Sequence, residues 1–93
     1  MSTRVAVVSI IVDCTEGEDS VEALNALLHE SGKYVIGRMG IPYREKKINL
    51  ISVALDAPQD LISALSGRIG KLPGVTVKTA YSNVISENEA EGG

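Results

Sequence analysis

The chain has no phenylalanine and no tryptophan, and Tyr34, Tyr43 and Tyr81 are its only aromatic residues. A flat cofactor or a nucleic-acid base would find almost no ring to stack on, so valine, isoleucine, leucine and alanine must build the core. Cysteine occurs once, as Cys14, which excludes an intramolecular disulfide. Histidine also occurs once, as His29. One thiol and one imidazole are too few for a closed zinc site within one chain, and a site shared between subunits would have to recruit Asp13 or glutamates. No apolar run approaches the ~20 residues of a membrane-spanning helix. The first residues enter a β-rich run directly, without the apolar segment and cleavage site of a signal peptide. These absences predict a cytoplasmic protein with no membrane contact, no bound metal and no cofactor.

Charge is ordinary in amount but unevenly placed. The net charge is −3, and Glu87, Glu89 and Glu91 crowd the last residues of the sequence. Without those three, acids and bases balance at nine each. A nearly neutral body with an acidic end argues against nucleic-acid binding by charge. A length of 93 residues fits one domain and leaves no room for two. We read residues 1–83 as that domain and 84–93 as an acidic flexible tail.

What the sequence has in quantity is β-branched residues. Arg4 to Val12 reads as a strand, because Val5, Val7, Val8, Ile10, Ile11 and Val12 form a run too short for a buried helix. A helix follows from Asp19 or Ser20, where Asp19 and Glu22 have capping-box spacing and Val21, Leu24, Leu27 and Leu28 form an apolar stripe. Gly32 should close that helix as a left-handed cap. Lys33 to Ile41 reads as a second strand interrupted by Gly37 and Gly40, Pro42 to Lys46 as a turn, and Lys47 to Asp56 as a third strand. Pro58 suits the first turn of a second helix, along which Ile62, Leu65, Ile69 and Leu72 recur at helical spacing. Pro73-Gly74 stops it, and Val75 to Ser82 alternates as a fourth strand.

The resulting β-α-β-β-α-β order is that of the split β-α-β, ferredoxin-like α+β sandwich. This predicts an antiparallel sheet in the order 4-1-3-2 with both helices on one face. The first and third strands, the most apolar, would then be central. Successive strand residues point to opposite faces, and in both central strands both sets are mostly apolar. The sets containing Ser9 and Ser52 are the better candidates for the helix-free side. That side would carry Val5, Val7, Ser9, Ile11, Ile48, Leu50 and Ser52, a patch large for a lone soluble domain. We therefore expect a homo-oligomer, a dimer or tetramer, that covers this face.

No catalytic set is legible. Cys14 follows the first strand and His29 lies near the far end of a helix, on the order of 20 Å away, so they do not form a nucleophile–base pair. The most distinctive stretch is Gly37-Arg38-Met39-Gly40-Ile41-Pro42-Tyr43-Arg44. Glycines in a strand mark a bulge or a close backbone approach, and the two arginines could hold an anion. Gly37, Arg38, Gly40 and Arg44 are accordingly the candidate ligand-binding residues. The run superficially resembles the anion loop of acylphosphatases, but one residue is missing between the glycines and it leads into a hairpin rather than a helix. Gly67 and Gly70 inside the second helix suggest close packing against another backbone or subunit.

A broader resemblance runs through Tyr34 to Arg44, Ile48-Asn49-Leu50-Ile51, Ser63 to Gly70 and Leu72-Pro73-Gly74-Val75. These stretches resemble the family of iron-only hydrogenase system regulators, over about residues 4 to 82. Its members are ACT-like, ferredoxin-fold proteins, distantly similar to the ligand-binding half of nickel-responsive repressors. The resemblance implies a non-catalytic regulatory module that senses a small ligand, an anion if the arginines hold it, or binds a protein partner. It does not carry over nickel sensing or DNA binding, because the ribbon-helix-helix and the His-rich site are missing here. ACT domains often bind small ligands near Gly-containing turns at subunit interfaces, which implies two candidate segments, Asp13 to Gly17 and Gly37 to Arg44. The competing readings are a small acyl-phosphate hydrolase using Arg38 and Asn49, and a structural adaptor of a larger complex.

Overall fold

A computed structural model describes residues 2–17 and 19–86. Four strands and two helices follow in the order β1 (Thr3–Asp13), α1 (Ser20–Glu30), β2 (Val35–Tyr43), β3 (Ile48–Ala57), α2 (Gln59–Gly70) and β4 (Val75–Ser86). Short 3-10 turns at Gly32–Tyr34 and Arg44–Lys46 precede β2 and β3. The sheet order is β2-β3-β1-β4, and every neighbouring pair is antiparallel. The predicted ferredoxin-like α+β topology, its two central strands and its two edges are all present.

Register divides the sheet into an inner and an outer face. Ala6, Val8 and Ile10 of β1 stand opposite Leu55, Val53 and Ile51 of β3. All six are buried, in one cluster with Leu24 and Leu28 of α1 and Ile62, Leu65 and Ile69 of α2. Both helices therefore cover the same face. Their buried residues recur at i, i+4 in α1 and at i, i+3, i+7 in α2, the stripe of a half-buried helix. Val75, Val77 and Tyr81 of β4 pack against this cluster from the edge.

The helix ends differ from the expected ones. Asp19 has helical dihedral angles and makes no side-chain capping bond, so no capping box forms. Gly32 is not a left-handed cap: α1 ends at Glu30, the N–H of the following Ser31 bonds back to the Leu28 carbonyl, and Gly32 opens the 3-10 turn. Among the described residues only Gly74 and Lys47 have positive φ. Gly74, at φ +72°, turns the chain out of α2 where a side chain would meet the Asp13 carbonyl. Leu72 lies beyond the last residue of α2 and packs against the core from there. Of the two helical glycines, Gly67 has open space within the chain where a side chain would stand, whereas a Cβ on Gly70 would lie 3.1 Å from Val77 Cγ1. Finally, β4 runs four residues past the expected Ser82, pairing Thr3 with Ser86. The rest of the expected tail, 87–93, lies outside the described residues.

Candidate functional site

The Gly37–Arg44 stretch forms most of the edge strand β2. A register shift between Val35 and Gly37 places a bulge at Ile36, as the strand glycines suggested. From there alternation sorts the run by face. Arg38, Gly40 and Pro42 stand opposite Val53, Ile51 and Asn49, on the helix side. Gly37, Met39, Ile41 and Tyr43 stand opposite Ala54, Ser52, Leu50 and Ile48, on the helix-free side. Arg44 lies beyond the strand, in the 3-10 turn. The structure thus brings Arg38 and Gly40 to one face, puts Gly37 on the other and separates Arg44 from Arg38 by most of the strand's length.

On the helix side, Arg38 donates from its guanidinium to Asn25 Oδ1 of α1, 2.9 Å away. Gly40 next to it is open: a Cβ at this position would find its nearest neighbour, Ile51 Cγ1, at 4.0 Å. An exposed cation oriented by an amide, beside uncovered backbone, is an arrangement that can receive a small anion. Asn49 does not join it. Its amide donates to Cys14 Sγ at 3.3 Å, and its register position is four residues along β3 from that of Arg38, on the order of 13 Å. The pairing needed for acyl-phosphate hydrolysis does not form, because each side chain is engaged elsewhere.

The second glycine-containing segment, Asp13 to Gly17, is a tightly tied loop. Asp13 accepts from the Thr15 hydroxyl at 2.6 Å and from the Thr15 N–H at 2.9 Å. These bonds, the hydroxyl first, hold its carboxyl below the usual value. The Asp13 N–H donates to the Gly74 carbonyl at 2.7 Å, and the buried Ser20 donates from Oγ to the Pro73 carbonyl at 2.7 Å. The loop and the α2–β4 turn are thereby locked together. A shallow cleft of about 240 Å³ lies beside them, lined by Glu16, Asp19, Ser20 and Leu72 among others. His29 is exposed on α1, and among the described residues no group of three His, Cys, Asp or Glu side chains could hold a metal ion.

The helix-free face carries the expected interface residues together. In register, Ser9 opposes Ser52, Ile11 opposes Leu50, Val7 opposes Ala54, and Ile48 follows at the Asp13 end. Val7, Ile11 and Leu50 are exposed to 38%, 43% and 37%. The sequence reasoning missed the contribution of β2, whose Met39, Ile41 and Tyr43 extend the same surface and are exposed to 59%, 49% and 40%. Their alternation was the available signal, but the glycines and Pro42 obscured it.

A four-stranded antiparallel sheet in this order, with two helices on one face, defines the ACT-like, ferredoxin-like class of α+β proteins. Within that class, residues 4–79 match the TM1266-like family, "Iron-only hydrogenase system regulator, putative", and the chain belongs to that family. The uncharacterized protein TM1266 from Thermotoga maritima is similar in structure, with 34% identity and a TM-score of 0.80 over 85% of this chain and 96% of that one. More distant likenesses show the fold alone. The C-terminal domain of the MgtC protein from Mycobacterium tuberculosis has 14% identity and a TM-score of 0.67, over 86% of this chain and 88% of that one. CPII, a nitrogen regulatory PII-like protein from Thiomonas intermedia K12 bound to ADP, AMP and bicarbonate, has 16% identity and a TM-score of 0.52, over 90% and 96%. No curated protein sequence matches the chain. Among the described residues no helix is long and apolar enough to cross a membrane.

Proposed function

We propose that the chain is a cytoplasmic, non-catalytic regulatory module of an iron-only hydrogenase system, and that it acts by binding a small anionic ligand at the helix side of β2. Membership of the family supports the regulatory role. The observation that carries the ligand reading is Arg38, exposed, oriented by Asn25 and set beside the open backbone of Gly40. The same-fold PII-like protein bound to ADP, AMP and bicarbonate lends support to an anion as the ligand class. Arg38 and Gly40 form the centre of the site, with Arg44 at the end of the strand able to engage only an extended ligand. Gly37, on the opposite face, is not part of this centre.

Thermal denaturation in the presence of ADP, AMP, bicarbonate and simple carboxylates tests this reading. At least one should raise the melting temperature of the wild type and leave that of Arg38→Ala unchanged, while Lys78→Ala, on the other face, keeps the shift. No shift with any of them, or a shift that survives Arg38→Ala, overturns it.

A further inference from the structure

The chemistry of Arg38 fixes the orientation of its partner. A guanidinium only donates hydrogen bonds, so the Asn25 atom 2.9 Å from Nη2 must be the amide oxygen. The amide nitrogen of Asn25, with its two hydrogens, is thereby turned away from the contact. Among the described residues it has no acceptor, and Arg38 makes no second side-chain hydrogen bond and no ion pair. Both residues are exposed. Nη2 belongs to both edges of the guanidinium fork. Whichever of its hydrogens Asn25 takes, the other edge keeps two parallel N–H groups.

These donors lie close enough to act together. Acceptors on the two hydrogens of Nη2 stand about 5 Å apart, a gap that the width of one amide and one further hydrogen bond fill. An oxygen seated on the free edge beside Nη2 is therefore within reach of Asn25 Nδ2. A carboxylate matches that edge with two oxygens in one plane, and the amide offers a third N–H. Charge narrows the ligand further. Arg38 is the one charged residue of β2. Arg44 lies six residues on, about 20 Å along an extended chain. Lys33 is held over the Tyr34 ring, 5.1 Å from its centre. Glu22, also exposed, stands three residues before Asn25 on α1, a neighbouring position on the helix surface. One cation beside one acid suits a single negative charge. A second charge on the ligand would find no cation of its own and would face Glu22.

We propose that this site selects a planar, singly charged oxyanion of the carboxylate or bicarbonate type, and that Asn25 Nδ2 is the specificity-determining donor for it. The proposal rests on the anion-binding reading of Arg38 and adds to it the ligand's shape, its charge and a second binding residue. The amide serves two ends: its oxygen orients the fork and its nitrogen meets the ligand. Asn25→Asp would keep an oxygen for Arg38. It would also turn the outward donor into an acceptor and neutralise the guanidinium, closing the site to anions.

NMR titration at pH 8 and constant ionic strength tests it, following the backbone amide signals of Arg38 and Gly40, with circular dichroism to show that each variant is folded. The probes are acetate, bicarbonate and sulfate. Acetate and bicarbonate should bind at least about 5-fold more tightly than sulfate, which is tetrahedral and doubly charged. Asn25→Ala should weaken acetate binding by at least about 5-fold, a modest loss for one hydrogen bond to a charged group. Asn25→Asp should abolish it. Sulfate that binds as tightly as acetate, or a folded Asn25→Ala with wild-type affinity, overturns the proposal. The anion reading itself still stands in either case if Arg38→Ala removes the binding. If no probe moves these signals, or if they move equally in Arg38→Ala, both fall.

Discussion

Gly17 and Pro73 approach so closely that a Cβ on the glycine would overlap the Pro73 carbonyl oxygen and stand 2.6 Å from Ser20 Oγ. Backbone on one side and a committed hydroxyl on the other leave no flexible atom to give way. Gly17→Ala should therefore destabilise the fold by roughly 2–4 kcal/mol by forcing the β1–α1 loop off the α2–β4 turn. Urea denaturation measures this directly. A loss below about 0.5 kcal/mol would show that the two turns are not locked.

The two glycines of α2 should respond in opposite ways. Gly67 has nothing near its missing side chain, so Gly67→Ala should stabilise by about 1 kcal/mol through helix propensity alone. Gly70→Ala would place a methyl 3.1 Å from Val77 Cγ1, so β4 must shift slightly and the gain should be cancelled or reversed. Melting temperatures of the two variants, measured side by side, check the contrast.

Lys47 closes the β2–β3 hairpin with φ 55° and ψ 44°, a left-handed conformation that a side chain disfavours. Its carbonyl accepts the Cys14 N–H at 2.9 Å, which pins the hairpin to the end of β1. Lys47→Gly relieves the strain and keeps that bond, and should stabilise by about 0.5–1 kcal/mol. A proline at the same position cannot adopt the positive φ and should destabilise strongly. Urea denaturation of both variants checks the opposite signs.

Asp13 supplies a pH signature. Its folded carboxyl is held below the usual 3.8 by the Thr15 hydroxyl and N–H. A depressed acid stabilises the folded state above its unfolded value and loses that contribution as pH falls through its folded one. Thr15→Val should therefore lower the melting temperature slightly at pH 6, with the difference from wild type shrinking below about pH 4. Equal differences at pH 6 and pH 3 would show that the carboxylate is not involved. The effect is small because the side chain is open to water.

Much of this architecture was legible because burial imposes period two on β1 and β3. Ser9 and Ser52 are the informative residues: one hydroxyl in each central strand was enough to mark which apolar set faces away from the helices, and register places them opposite one another. The face of β2 was harder. Gly37, Gly40 and Pro42 interrupt its apolar alternation, and the bulge at Ile36 fixes its phase. A bulge depends on pairing with β3, not on local preference, so Met39, Ile41 and Tyr43 could not be assigned a side. Helix ends were obscured for a related reason. Asp19 has the chemistry of a cap, but the Ser20–Pro73 bond holds the start of α1 in place from outside the helix. Of the candidate anion site, the pattern pointed to Arg38 and Gly40, while the contact to Asn25 arises only when α1 lies over the sheet.

The position of β1 between β3 and β4 has a kinetic consequence. Val8 pairs with Val53 on one side and Thr79 on the other. During synthesis this β-branched strand leaves the ribosome before either of its partners, and its second edge stays unpaired until β4 has followed. Folding must close loops of some forty and seventy residues, so it should be slow for so short a domain. Over that interval the strand most capable of joining another chain is the one left bare, so the aggregation risk of this fold is concentrated before β4 arrives.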